Sequence, residues 1–184
     1  MTDTQKPYSM IIDFVTGKSI PNVGAEENRQ RVERFLVAEK GYSKADIEVG
    51  VDMEITIVGE TYRSQIDLVV NVDDGYGATR FMAIKCAAAS LGSREREILA
   101  AARLLGENQL PFSVVSDGKT AIVLDTVSGK KLGQGLNAIL SKEEAREKLK
   151  AIKPLPFPKE KQEREKLIFR SYDSMNVNVS RNLK

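Results

Sequence analysis

Asp67 and Lys85 are the residues of this chain whose types and spacing suggest chemistry in common. The acid lies in the apolar run Ser64-Gln65-Ile66-Asp67-Leu68-Val69-Val70, and the lysine in the next one, Phe81-Met82-Ala83-Ile84-Lys85-Cys86. A carboxylate holds a hard cation through oxygen, and a nearby ammonium stabilises negative charge developing on an oxygen. The 184 residues contain no histidine and one cysteine, Cys86. Histidine bases and ligands, intrachain disulfides and cysteine zinc sites are therefore excluded for this chain alone. Acid–base or metal chemistry falls to Asp, Glu, Lys, Tyr or Cys86, and carboxylates without imidazole favour Mg²⁺ or Mn²⁺ over zinc.

Two β-strands joined by the Gly-rich turn Asp73-Asp74-Gly75-Tyr76-Gly77 must position the pair. Ahead of them, residues 46–58 alternate cleanly, with Ile47, Val49, Val51, Met53, Ile55 and Ile57 on one face and Glu48, Asp52 and Glu54 on the other. Gly59-Glu60 supplies the turn into the second strand, 61–72. If that turn has two residues, Met53 faces Ile66, Val51 faces Leu68 and Asp52 faces Asp67. In the third strand, 80–87, Phe81, Ala83 and Lys85 point one way while Met82, Ile84 and Cys86 point the other. Cys86 is thus expected to be a buried structural thiol on the face away from Lys85.

The flanking elements follow from periodicity and caps. Residues 25–40 read as a helix with Val32, Phe35 and Leu36 on one face and Gly41 closing its end. Asn28 is an oddity one turn before Val32. A helix over 94–105 follows Ser93 as N-cap, with Ile98, Ala101, Ala102 and Leu105 inward. Residues 111–115 and 120–125 form a strand pair. Ser128-Gly129 and Gly133-Gln134-Gly135 mark turns, and Ser141-Lys142-Glu143-Glu144 is a capping box for a helix ending near Ala151. Ser9–Val15 is an edge strand or packed arm.

This order predicts an α/β (α+β) sandwich, and the chain divides into an arm over 1–19, a folded domain over 20–152 and an extension over 153–184. The extension holds Pro154, Pro156 and Pro158 as a stiff linker, a charged helix over 159–170 and a polar tail. In the tail Met175, Val177 and Val179 alternate, as in a strand added to a protein partner. From Lys142 onward 12 lysines and arginines face 7 acids, whereas 16 face 19 before it, so the basic end suits a polyanion. No apolar run is long enough for a bilayer and Met1–Tyr8 is polar, so no membrane contact and a cytoplasmic location are expected.

Two tripeptides, Gly17-Lys18-Ser19 and Gly118-Lys119-Thr120, imitate the end of a phosphate-binding loop. The glycine such a loop needs five residues before its second glycine is replaced by Ile12 and Ser113, so neither qualifies. An acid in one strand, a hairpin, and an apolar strand ending in lysine together resemble the PD-(D/E)xK nucleases. More narrowly, the chain is similar to the amino-terminal nuclease domain of type I restriction enzyme R subunits. The residues that carry this are Arg29-Gln30, Glu39-Lys40-Gly41-Tyr42-Ser43, Arg63 through Val70, Ile84-Lys85 and Val114-Val115-Ser116-Asp117-Gly118.

The resemblance implies a restriction-endonuclease-like mixed sheet of about five strands flanked by helices. It also implies DNA as partner, Asp67 as a ligand of Mg²⁺ or Mn²⁺, and Lys85 as the charge-stabilising lysine. Both side chains must then share a face, which requires an even sum of partner numbers in the second hairpin. The chain departs from the pattern at Ala83, where the family has an acid, and in lacking the glutamine–tyrosine pair after the lysine. Candidate replacements for the acid are Asp52, Glu97 or Glu95, and Glu26 or Glu27. Arg94, Arg96 and Arg103 are candidate phosphate contacts. Two readings stay open: a metal-dependent nuclease with a relocated acid, or a cleavage-inactive nuclease-like module that binds nucleic acid or a protein partner.

Overall fold

The computed structural model describes residues 8–73, 75 and 77–174. A small hairpin of β1 (Met10–Ile12) and β2 (Ser19–Pro21) precedes α1 (Glu26–Glu39). Then come β3 (Ile47–Ile57), β4 (Glu60–Asp73), β5 (Ala78–Cys86), α2 (Glu95–Leu104), β6 (Phe112–Ser116), β7 (Ala121–Asp125), β8 (Lys131–Gln134), α3 (Lys142–Ala151) and α4 (Lys159–Ser174). Strands β3 to β8 form one six-stranded sheet in sequence order. Every neighbouring pair is antiparallel except β5 and β6, which α2 joins as a parallel crossover. The result is a mixed sheet flanked by helices, with one strand more than the sequence suggests.

Apolar side chains leave both faces of this sheet, so both must be covered. Val32 and Leu36 of α1 and Ala145 of α3 pack with Leu68, Val70, Ile84 and Val114 on one face. Ile98 and Ala101 of α2 and Phe169 of α4 pack with Val69, Ala83 and Val115 on the other. Central strand β5 is therefore buried from Phe81 through Cys86. A lysine inside such a run must find partners or leave an uncompensated buried charge.

Three local expectations are corrected. The β3–β4 turn is Val58-Gly59, both at positive φ (48° and 81°), with Ile57 opposite Glu60. Left-handed geometry at both central positions is what a type I′ hairpin turn demands, and Val58, 93% exposed, accepts it despite its β-branch. Moving the turn by one residue moves every partner by two. Met53 faces Ser64, Val51 faces Ile66, and Asp52 faces Gln65 instead of Asp67.

The single apolar face of β3 also breaks. Ile47 and Val49 pack with the α1 side, while Val51, Met53, Ile55 and Ile57 pack with the α2 side. Gly50, between them at φ 64°, interrupts the pleat. Finally, Gly133 and Gln134 are not a turn but the end of β8. A Cβ on Gly133 would meet that of Ala138 at 2.8 Å, so this glycine serves close packing, and Gly135 at φ 94° makes the bend.

The caps divide similarly. Ser141 and Glu144 form the capping box of α3, and Gly41 at φ 74° closes α1. Ser93 does not cap α2. It lies in a single 3₁₀ turn, Gly92–Arg94, donates to the Ser90 carbonyl at 2.7 Å, and leaves Arg94 as the residue before the helix. Asn28 donates to the Ala87 carbonyl at 2.8 Å, tying α1 to the end of β5. Gly118 is small for a packing reason, since a Cβ there would meet the Arg31 side chain at 2.7 Å.

Helix α4 runs to Ser174 and docks against α2. Phe169 is 2% exposed and meets Tyr62 edge to face with centroids 6.3 Å apart. The Tyr62 hydroxyl donates to Asp173 at 2.6 Å. The alternation at Met175, Val177 and Val179 lies outside the described residues. Among the described residues, no helix is long and apolar enough to cross a membrane.

Candidate active site

In the β4–β5 ladder Leu68 faces Ile84 and Val69 faces Ala83. Partner numbers sum to an even value there, so Asp67 and Lys85 share the face covered by α2. The ladder slips only beyond this point, between Val70 and Asn71. Cys86, one residue on, points into the opposite core. Burial, reinforced by the Asp67 charge, pushes its thiol well above the ordinary cysteine value, so it is not poised as a nucleophile.

The Lys85 side chain is only 8% exposed, and two carboxylates flank its Nζ. Asp67 Oδ2 is 3.4 Å away and Glu97 Oε1 3.2 Å away. Glu97, in the first turn of α2, is itself buried, and its other oxygen accepts from Arg94 Nη1 at 3.3 Å. Arg94 also donates to the Tyr172 carbonyl at 3.4 Å, so α4 helps fix this corner. The Cys86 backbone N–H donates to Asp67 Oδ2 at 2.7 Å and orients that carboxylate. A cavity of about 360 Å³ opens beside these groups, lined among others by Glu26, Arg29, Gln65, Asp67, Lys85 and Arg94.

Of the candidate acids, the fold brings Glu97 to the Asp67–Lys85 pair. Glu26 reaches the cavity wall, with its carboxylate engaged by Arg29 and Gln30. Asp52 is exposed and accepts from Gln65 Nε2 at 2.8 Å, outside the cavity lining. Glu27 is exposed and bonded to Asn22 at 3.1 Å, and Glu95 lies 3.7 Å from Lys131. Neither lines the cavity.

Behind Glu26 lies a buried polar cluster that sequence spacing only half disclosed. Arg29 pairs with Glu26 and Glu33 along α1 and with Asp13 at 2.7 Å from the preceding hairpin. The one-turn spacings Glu26-Arg29-Glu33 are a signal that could have pointed to it, and they were not read as a cluster. Asp13, distant in sequence, gives no such signal. Glu33 Oε2 is buried without a hydrogen-bond partner among the described residues. Burial, with repulsion from Asp13 and Glu26 and opposed by Arg29, pushes the Glu33 carboxyl up to about 7. Burial also raises Asp13, but hydrogen bonds from Thr16 and the Arg29 charge outweigh it, and its carboxyl falls below the usual value.

A hard divalent cation suits this donor set. Asp67 and Glu97 each place a carboxylate oxygen within 3.4 Å of Lys85 Nζ, Asp67 in the cavity wall and Glu97 buried outside its lining, and Mg²⁺ is commonly held by one or two carboxylates with water and phosphate completing its shell. Among the described residues, no group of three or more Asp, Glu or Cys side chains is arranged as a metal site. The pair fits a metal that shares its coordination with substrate, not an all-protein cage.

The family described as type I restriction enzyme R protein N terminus matches residues 24–139, from the residues before α1 to just beyond β8. No curated protein and no solved structure matches the chain.

Proposed function

Since the chain belongs to the type I restriction enzyme R protein N-terminal family, we propose that it is a metal-dependent nuclease domain that cleaves DNA phosphodiesters with Asp67, Glu97 and Lys85. A restriction-related role follows from the family itself. The observation that carries the finer reading is the position of Glu97, whose carboxylate reaches Lys85 from α2 on the face where Ala83 offers only a methyl group.

Asp67 and Glu97 would hold the cation, one from the sheet and one from the helix above it. Mg²⁺ or Mn²⁺, when bound, polarises a phosphate oxygen and acidifies the attacking water. Lys85, kept at the cavity by the two acids, stabilises negative charge on the phosphoryl oxygens. Arg94 holds Glu97 in place and presents its remaining donors to the same cavity. The Cys86 N–H fixes Asp67, so the acid does not need to be reoriented when substrate arrives.

One observation favours a second reading. The Lys85 ammonium already satisfies both carboxylates, and such a self-neutralised cluster serves equally in a cleavage-inactive module that binds DNA or a partner. A Mg²⁺ and Mn²⁺ titration of duplex DNA cleavage by the chain, by Asp67→Ala and by Lys85→Ala separates the two. Cleavage abolished by either change supports the nuclease. DNA binding with a steep salt dependence and no cleavage at any metal concentration supports the inactive module.

A further inference from the structure

Along the outer side of α2 lies a second cavity of about 450 Å³, bounded by the Pro-containing segment and the first half of α4. Two kinds of surface meet in it. Val127 and Leu155 are large apolar side chains left 49% and 48% exposed, with Phe157 and Ile168 beside them. Arg96, Lys161 and Arg164 stand around these as exposed cations that form no ion pair with another described residue. The acid of the lining, Glu165, is already taken by Arg103 at 2.7 Å. Arg103 also lies 5.7 Å from the Phe157 ring centroid and steadies it.

Lys161 sits in the first turn of α4, beside Glu160, at the positive end of the helix dipole, and its own N–H donates to the Pro158 carbonyl at 3.0 Å. An anion arriving there relieves repulsion between cation and helix. Phosphates at short intervals, alternating with flat apolar faces, describe a nucleic acid strand with unpaired bases. Duplex DNA matches less well because its base faces are stacked away.

We propose that the cleft between α2 and α4 binds single-stranded nucleic acid, with Arg96, Lys161 and Arg164 on the phosphates and Phe157 against an unpaired base. The proposal rests on the reading that the chain acts on DNA, and it adds where an unpaired strand runs. Arg94 lines the candidate active site and Arg96, two residues on, lines the cleft, so the first turn of α2 separates the two.

Fluorescence anisotropy of the full chain with a labelled oligodeoxynucleotide of about 12 nucleotides, within the span such grooves cover, is the test. Changing Arg96, Lys161 and Arg164 together to Gln should weaken binding roughly tenfold or more. The plot of log affinity against log salt should become shallower by about 2, at roughly 0.7 for each phosphate no longer neutralised. Phe157→Ala should weaken binding about fivefold or more at unchanged salt slope. Thermal unfolding of the triple variant should match the parent, since all three cations are exposed. Unchanged affinity and slope in the triple variant overturn the proposal, as does a polyglutamate peptide that binds as tightly as the oligonucleotide. If duplex DNA is bound and cleaved while the triple variant behaves as the parent, only the cleft proposal fails. If the chain binds neither strand nor duplex, the DNA reading itself fails.

Discussion

Replacing Glu33 by Gln removes the carboxylate of the α1 cluster that burial lifts towards neutral pH. In the fold it sits at about 7, against 4.5 for an ordinary glutamate. Below the lower value both folded and unfolded chains hold the proton, and stability does not change with pH on its account. As pH rises through the interval, the unfolded chain releases its proton first and the fold loses stability. Above about 7 both states are ionised and the loss is complete.

At 1.36 kcal/mol per pH unit, that interval amounts to roughly 3 kcal/mol, a large part of a typical domain's stability. The side chain is 0% exposed, so no discount for solvent screening applies. Asp13, with its lowered carboxyl, acts with the opposite sign and outside this window. Its contribution is present above its unfolded value of 3.8 and is lost as pH falls below it. Urea unfolding of parent and Glu33→Gln between pH 4 and pH 8 is the assay, both limits set by the about 4 to 7 range of the titration. The parent should lose about 3 kcal/mol relative to the variant across the window. Parallel pH profiles would refute the buried, ionisable Glu33 and with it the account of how Arg29 and Glu26 are held at the cavity.

Two further outcomes follow from the packing. Phe169→Ala should lower stability by about 3–5 kcal/mol in the same urea assay, because the ring is buried between α4 and the α2 side of the sheet. A loss below about 1 kcal/mol would mean that α4 is dispensable to the fold. Ala83→Asp, which rebuilds the acid of the resembled pattern, should cost about 3 kcal/mol or more, because it crowds a fully buried position under α2 and brings a carboxylate into it. A variant as stable as the parent would show that the space there is not filled.

Much of the frame was legible because its signals are local. Period-two runs located the meander, whereas the shared face of Asp67 and Lys85 was a requirement of the resemblance that only the observed β4–β5 register meets. The hairpin register was not legible, since it depends on Val58 accepting a left-handed conformation that turn preferences assign to Gly. Strand β8 was missed because Lys131-Leu132-Gly133-Gln134 looks like loop composition, its glycine being fixed by close packing on Ala138. Glu95 and Glu97 are equally good first-turn acids on a helix. Only the direction in which α2 crosses the sheet sends one to Lys131 and the other to Lys85. The docking of α4 was hidden for a similar reason, because its apolar side chains are sparse among charges and its anchor, Tyr62, is remote in sequence.

In the proposed nuclease Glu97 supplies from α2 the acid that Ala83 lacks, and the cleavage rate of Glu97→Gln reports that role. In saturating Mg²⁺ or Mn²⁺ the parent should cleave duplex DNA, and the Gln variant, folded to the same melting temperature, should lose on the order of 100-fold or more. Cleavage by Glu97→Gln at the parental rate, or none by the parent in either metal, would contradict it.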